Sequence, residues 1–239
     1  KLREINLGEA ITGLEVQQAD PATIALPFDE RMQRLVDYIY QEKYNGKIQR
    51  LIKSAKLRFP QANRQGVIYA NRGLNRELIE NLFSGQYIDL HQSVILQGFT
   101  GSGKTYLACA LGKEACLNHV RVRYVRLPDL LMEYGDSTIV AGNQRKLLER
   151  YSRIPILILD EWLVSDISDA ELHFLFELME RRSDTTSTIF CTQYRKDDWV
   201  KRLGEGVRAE AIVDRYAYTA FWIETGSTNM REYCAKHKM

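Results

Sequence analysis

The chain has 239 residues, 45% hydrophobic and 27% charged, with a formal net charge of +2 at neutral pH. That size and balance suit a soluble α/β domain of moderate size with a small appendage. No apolar run approaches the roughly 18 residues of a membrane span, and Cys109, Cys116, Cys191 and Cys234 lack CxxC or metal-ligand spacing. The thiols therefore read as structural in a reducing cytoplasm, with Cys109 and Cys116 seven apart on one helix and turned to the core. A start at Lys1 with no secretory h-region reads as trimmed.

Charge is segregated in the first third. Residues 1–42 carry eight acids against four bases, whereas 43–76 carry nine bases and no acid. Within that stretch Tyr44, Ile48, Leu51, Ile52 and Ala55 recur at helical spacing and give an amphipathic helix with a basic outer face. A solvated helix face is the bland reading. With no acid to pair them, however, the bases repel one another unless an anion intervenes, and nucleic-acid phosphate suits. Lys43, Lys47, Arg50, Lys53, Lys56 and Arg58 are the expected DNA contacts. Pro60 and the polar run 61–66 mark a linker, dividing the chain into a helical module over 1–60 and a second domain over 61–239.

Beyond the linker, residues 75–83 predict a helix closed by Gly85. Strands are predicted over 93–97, 120–125, 154–159, 187–192 and 220–224. Helices are predicted over 106–115, 128–134, 144–151, 168–182 and 207–216. Ser168 and Glu171 form a capping box ahead of the apolar stripe Leu172, Leu175, Phe176 and Met179. Helices alternating with short apolar strands imply a mainly parallel sheet covered on both faces.

Between the first strand and its helix lie Gly98, Phe99, Thr100, Gly101, Ser102, Gly103, Lys104 and Thr105. They fit the phosphate-cradling pattern G-x-x-x-x-G-K-[ST], with Tyr106 next on the helix. Curled backbone aims N–H groups at phosphate oxygens, Lys104 reaches the β/γ phosphates, and Thr105 can ligate Mg²⁺. The strand 156–159 ends in Asp160 and Glu161. Asp160 would complete the metal site and Glu161 would orient the attacking water. Thr192 and Gln193 end the next strand, where a polar group would lie between the acids and sense the γ-phosphate. Arg208 and Arg215 share one helix, and either could reach a nucleotide bound by a neighbouring subunit; Arg215, between Asp214 and Tyr216, is favoured. Arg121, Arg123 and Arg126 read as a solvated strand edge, with DNA contact as the alternative.

Taken together, the basic helical start, the run from Gly98 to Gly112, Ile156 to Trp162, Ser187 to Gln193, Ala211 to Tyr216 and Asn229 to Cys234 resemble the IstB-like ATP-binding proteins of insertion sequences. These are relatives of DnaC-type helicase loaders in the AAA+ class. The resemblance implies an AAA+ P-loop NTPase: a parallel five-stranded sheet flanked by helices, with a small all-helical N-terminal module. It further implies an ATP- and Mg²⁺-dependent ATPase that assembles on double-stranded DNA as a ring or spiral, with ATP at subunit interfaces. Such a protein recruits a cognate transposase. Arg215 then corresponds to the subunit-bridging finger and Arg231 to a nucleotide sensor. The chain departs from the family pattern at Gln193, where asparagine is usual, and at Trp162, where a smaller aliphatic is common. The C-terminal helical lid of many AAA+ proteins is expected to be absent, which fits the family. A helicase loader and a non-hydrolysing, ATP-gated DNA scaffold are the alternatives.

Overall fold

The computed structural model describes residues 1–69 and 72–237. Before the first strand run α1 (Glu9–Ala19), α2 (Pro21–Ile24), α3 (Phe28–Ala55), α4 (Arg76–Ser84) and α5 (Gln86–Asp89). Then come β1 (Val94–Gln97), α6 (Lys104–Leu117), β2 (Val122–Arg126), α7 (Leu127–Ser137), α8 (Asn143–Ser152) and β3 (Ile156–Trp162). The chain continues through α9 (Asp169–Arg182), β4 (Ser187–Thr192), α10 (Lys196–Arg202), α11 (Gly206–Ala217), β5 (Phe221–Glu224) and α12 (Met230–His237). Among the described residues no helix is long and apolar enough to cross a membrane.

The chain forms two compact units, Lys1–Arg50 and Leu51–Met239. In the first, α1 lies against α3 at Gly13, where a Cβ would sit 2.8 Å from both Leu35 and Tyr38. Only glycine permits that approach. Gln17 Nε2 donates to the Arg31 carbonyl at 2.7 Å, tying the same two helices. Asp20 ends α1 and caps α2, accepting from the Ala22 N–H at 3.1 Å.

The division falls inside α3, ten residues before the linker expected near residue 60. Leu51 and Ile52 pack on the core of the second unit, and Ala55 and Leu57 are buried in it. The last turn of α3 thus belongs with the sheet. The polar run after Pro60 is a surface loop of that unit, with Ala62 buried beneath it.

In the second unit the five strands lie in the order β2-β3-β4-β1-β5, every pair parallel. One face packs on α6 and α4 through residues such as Leu96, Leu107, Leu111, Cys109 and Cys116. The other packs on α7, α8, α9 and α11. Trp162, the departure after the acidic pair, fills this second core: its ring lies 4.8 Å from Phe190 and 5.5 Å from Trp199. At the opposite end of the sheet Arg182 is wholly buried and makes no ion pair among the described residues. It donates instead to the carbonyls of Tyr151 (2.7 Å), Ile154 (2.8 Å) and Ser187 (2.6 Å) and to the Thr188 hydroxyl (3.0 Å).

Because all strands run the same way, their carboxyl ends form one crevice edge, where ligands of open α/β sheets bind. With β4 between β1 and β3, the loop after β1, the acids of β3 and the polar end of β4 share that edge.

Candidate nucleotide site

The turn from Gly98 to Thr105 links β1 to α6, so its backbone precedes a fourteen-residue helix whose amino end favours anions. Gly103 has φ +90, and a Cβ there would come within 2.9 Å of the Arg72 guanidinium. Lys104 is 9% exposed and donates from Nζ to the Gly98 and Phe99 carbonyls at 2.7 and 2.8 Å. Burial lowers its pKa, so an incoming anion would relieve a desolvated cation.

Asp160 is 3% exposed and accepts three hydrogen bonds: from Thr105 Oγ1 at 2.9 Å, Tyr124 Oη at 2.7 Å and the Glu161 N–H at 2.9 Å. Burial, and the carboxylate beside it, push the Tyr124 hydroxyl far above its ordinary value, so it donates to Asp160 across the neutral range. β3 is irregular between Leu159 and Trp162, and Glu161 stands at φ +56. This bulge turns consecutive acids to different tasks. Glu161 is engaged by two cations: Arg126 Nη2 at 2.7 Å, from the end of β2, and Arg58 Nη1 at 3.6 Å. Arg126 is therefore no part of a solvated edge, because the parallel register sets it beside Asp160.

A cavity of about 530 Å³ opens beside the loop. Phe59, Ile68 and Tyr106 supply apolar wall, while Lys104, Arg72 and Arg231 bring positive charge. A flat apolar wall next to convergent cations suits a base and its phosphates. Thr105 and Asp160 form a hard-oxygen pair of the type Mg²⁺ takes.

Arg72 was not legible as a site residue. Counted among the bases of the acid-free stretch, it is 5% exposed and reaches under the loop. It donates to the carbonyls of Ser102 (2.5 Å), Ile68 (3.1 Å) and Thr225 (3.3 Å). The Ser102 and Thr225 hydroxyls meet at 2.6 Å, and Met230 N–H donates to the Gly101 carbonyl at 2.8 Å. These contacts draw β5 and α12 against the loop, with Arg231 lining the cavity from α12.

Other expected residues lie differently. Gln193 is exposed and accepts from Thr100 Oγ1 at 3.1 Å, so it bridges the end of β4 to the loop. Thr192 is spent within the fold, donating to the Trp162 carbonyl at 3.2 Å. Arg215 pairs with Glu180 at 2.7 Å and does not line its own chain's cavity; Arg208 is exposed.

The basic stretch is not uniformly unpaired. Arg58 meets Glu161, Arg64 pairs with Glu80, and the Arg76 guanidinium lies 5.1 Å over the Tyr69 ring. Acids distant in sequence supply what the segment lacks. Lys43, Lys47, Arg50, Lys53 and Lys56 are exposed and make no ion pair among the described residues.

The family model for IstB-like ATP binding proteins matches residues 1–238. The chain belongs to that family. It is 34% identical over 203 residues to the ATP-binding protein of insertion sequence IS1162 from Pseudomonas fluorescens, covering 81% of this chain and 84% of that one. In fold it is similar to the DnaC helicase loader, with a TM-score of 0.61 at 22% identity over 70% of this chain and 98% of that one. It is also similar to AMPPCP-bound DnaA from Aquifex aeolicus, with a TM-score of 0.60 at 19% identity over 75% of this chain and 55% of that one. The parallel five-stranded sheet with flanking helices, expected from the motifs, is thus a fold this IstB-like protein shares with DnaC and DnaA.

Proposed function

We propose that this IstB-like protein hydrolyses ATP while assembled on double-stranded DNA, and that the assembly recruits and stimulates its cognate transposase during insertion-sequence transposition. The observation that carries the ATPase reading is the junction at the end of β3: Thr105 donates to Asp160, and the bulge then presents a second acid, Glu161. In this reading Lys104 leaves its two loop carbonyls for the β/γ phosphates. Thr105 and Asp160 would hold Mg²⁺, which when bound neutralises phosphate charge. Glu161 orients the attacking water and takes its proton as the γ-phosphate departs from ADP. Arg231 supports nucleotide sensing from the cavity wall. Copies join as a ring or spiral with ATP between them, and Arg215 leaves Glu180 to reach the neighbour's nucleotide; Arg208 on the same helix is the other candidate finger.

Family membership supports the insertion-sequence context, and the exposed bases of 43–56 support DNA contact. The likeness to DnaC is one of fold and does not favour a helicase partner.

The test is phosphate release by Glu161→Gln with and without duplex DNA. Release is expected to fall by about 10²-fold or more, the usual worth of a positioned base, with ATP affinity retained. Unchanged release removes Glu161 from hydrolysis. A second reading, the ATP-gated scaffold, draws on the two arginines that occupy Glu161. ATP-dependent DNA complexes from a protein that releases no phosphate would select it.

A further inference from the structure

A second hollow, of about 640 Å³, lies along the outer edge of the sheet. It is formed by the end of α3, the first half of β2 and the C-terminal end of α8 with the residues after it. Six of its lining side chains are cationic, Lys56, Arg121, Arg123, Lys146, Arg150 and Arg153, against the single carboxylate of Glu149. That carboxylate is engaged by Arg145 at 3.0 Å.

Two of the six are held in place by neutral groups. Arg121 Nη2 donates to the Arg153 carbonyl at 3.0 Å, and Arg123 Nη1 to the Ser54 carbonyl at 3.4 Å. Each guanidinium is thereby fixed toward one wall of the hollow, and neither makes an ion pair among the described residues. Arg150 pairs with Glu133, whose carboxylate also feels the charge of Arg123. Bases on an edge strand commonly serve to block strand addition. That accounts for Arg121 and Arg123, but not for Lys56 just past α3 and the bases of α8 converging on the same concavity. Like charges gathered in a hollow repel one another and destabilise the fold unless a polyanion neutralises them.

We infer that this edge groove binds the phosphodiester backbone of duplex DNA. It is a second contact, separate from the exposed bases of α3. Arg121, Arg153 and Ile154 border the amino ends of β2 and β3, whereas the nucleotide cavity lies at the carboxyl ends. The groove can therefore hold DNA while the nucleotide site is filled. The inference rests on duplex DNA being the partner and is independent of hydrolysis.

The test is fluorescence anisotropy of a labelled duplex across a salt series, on the full chain. The triple variant Arg121→Gln, Arg123→Gln, Lys146→Gln should lower the salt slope by about 0.9 per lost phosphate contact, about 3 in all. Affinity near physiological salt should fall at least roughly tenfold, with nucleotide binding intact. Glu149→Gln removes the one carboxylate and should tighten binding, a gain that misfolding cannot produce. A triple variant with unchanged affinity and slope overturns the groove, as does an unchanged Glu149→Gln if the triple variant fails to fold. Loss of binding when Lys47, Arg50 and Lys53 are made glutamine leaves the groove standing as a separate site only if the triple variant is also weakened. If the unaltered protein holds no duplex, the DNA reading itself falls. Displacement by inorganic triphosphate but not by duplex would make this a free-phosphate site and overturn the proposal.

Discussion

A guanidinium 2.7 Å from a carboxylate competes with water for its oxygens, and Arg126 stands in that relation to Glu161. The pair is partly exposed, with side chains 39% and 30% accessible, so its worth is at most about 1 kcal/mol. Replacing Arg126 by glutamine should therefore raise basal phosphate release, by up to about fivefold, at unchanged ATP affinity. A fall in release would mean that Arg126 assists turnover and does not restrain it. The thiols offer a second check at this scale. Burial pushes Cys109 and Cys116 up to about 11 and Cys191 well above its ordinary value. Cys234 instead lines the nucleotide cavity, half-buried. A maleimide at mildly alkaline pH should modify Cys234 first, and saturating ATP should slow that reaction several-fold. Equal rates with and without ATP would put the nucleotide elsewhere.

Elements whose signals are local were legible from the residues alone. Ser168 and Glu171 form the capping box at the start of α9, Asn75 caps α4 and Gly85 ends it, and all five strands lie within a residue or a few of their expected bounds. What depends on strand order was not. Nothing within 120–126 says that β2 will lie beside β3 and bring Tyr124 to Asp160 and Arg126 to Glu161. Arg72 was misread for the same reason, since its acceptors on Ser102 and Thr225 are remote in sequence. Arg182 shows how much a single such residue can hold. It joins the end of α9 to α8, to Ile154 ahead of β3 and to β4, and burial pulls its pKa down only to about 10, so it stays charged at neutral pH. Arg182→Met strands several buried acceptors, at about 1–3 kcal/mol each if left unpaired. The melting temperature should drop by at least about 5 °C with the nucleotide site unaltered; an unchanged melting temperature would refute the role.

For the molecule as a whole, the boundary at Arg50/Leu51 has a practical outcome. A fragment over 61–239, the cut the polar run suggests, discards Ala55 and Leu57 from the core along with Leu51, Ile52 and Phe59 packed on it. At about 1.5–3 kcal/mol for each fully buried large apolar side chain, the loss is on the order of 5 kcal/mol. That fragment should melt roughly 10 °C or more below one over 51–239. Equal melting would mean that the end of α3 is dispensable. The rim of the sheet carries a different lesson. β2 has a partner on one side only, and its free side is crowded with arginines. Two copies sliding together there would press like charge on like charge, so fibril-style extension of the sheet past β2 is opposed. At that rim, neighbouring copies would have to meet through helix and loop surfaces instead, where a bound ligand can tell a correct neighbour from an accidental one.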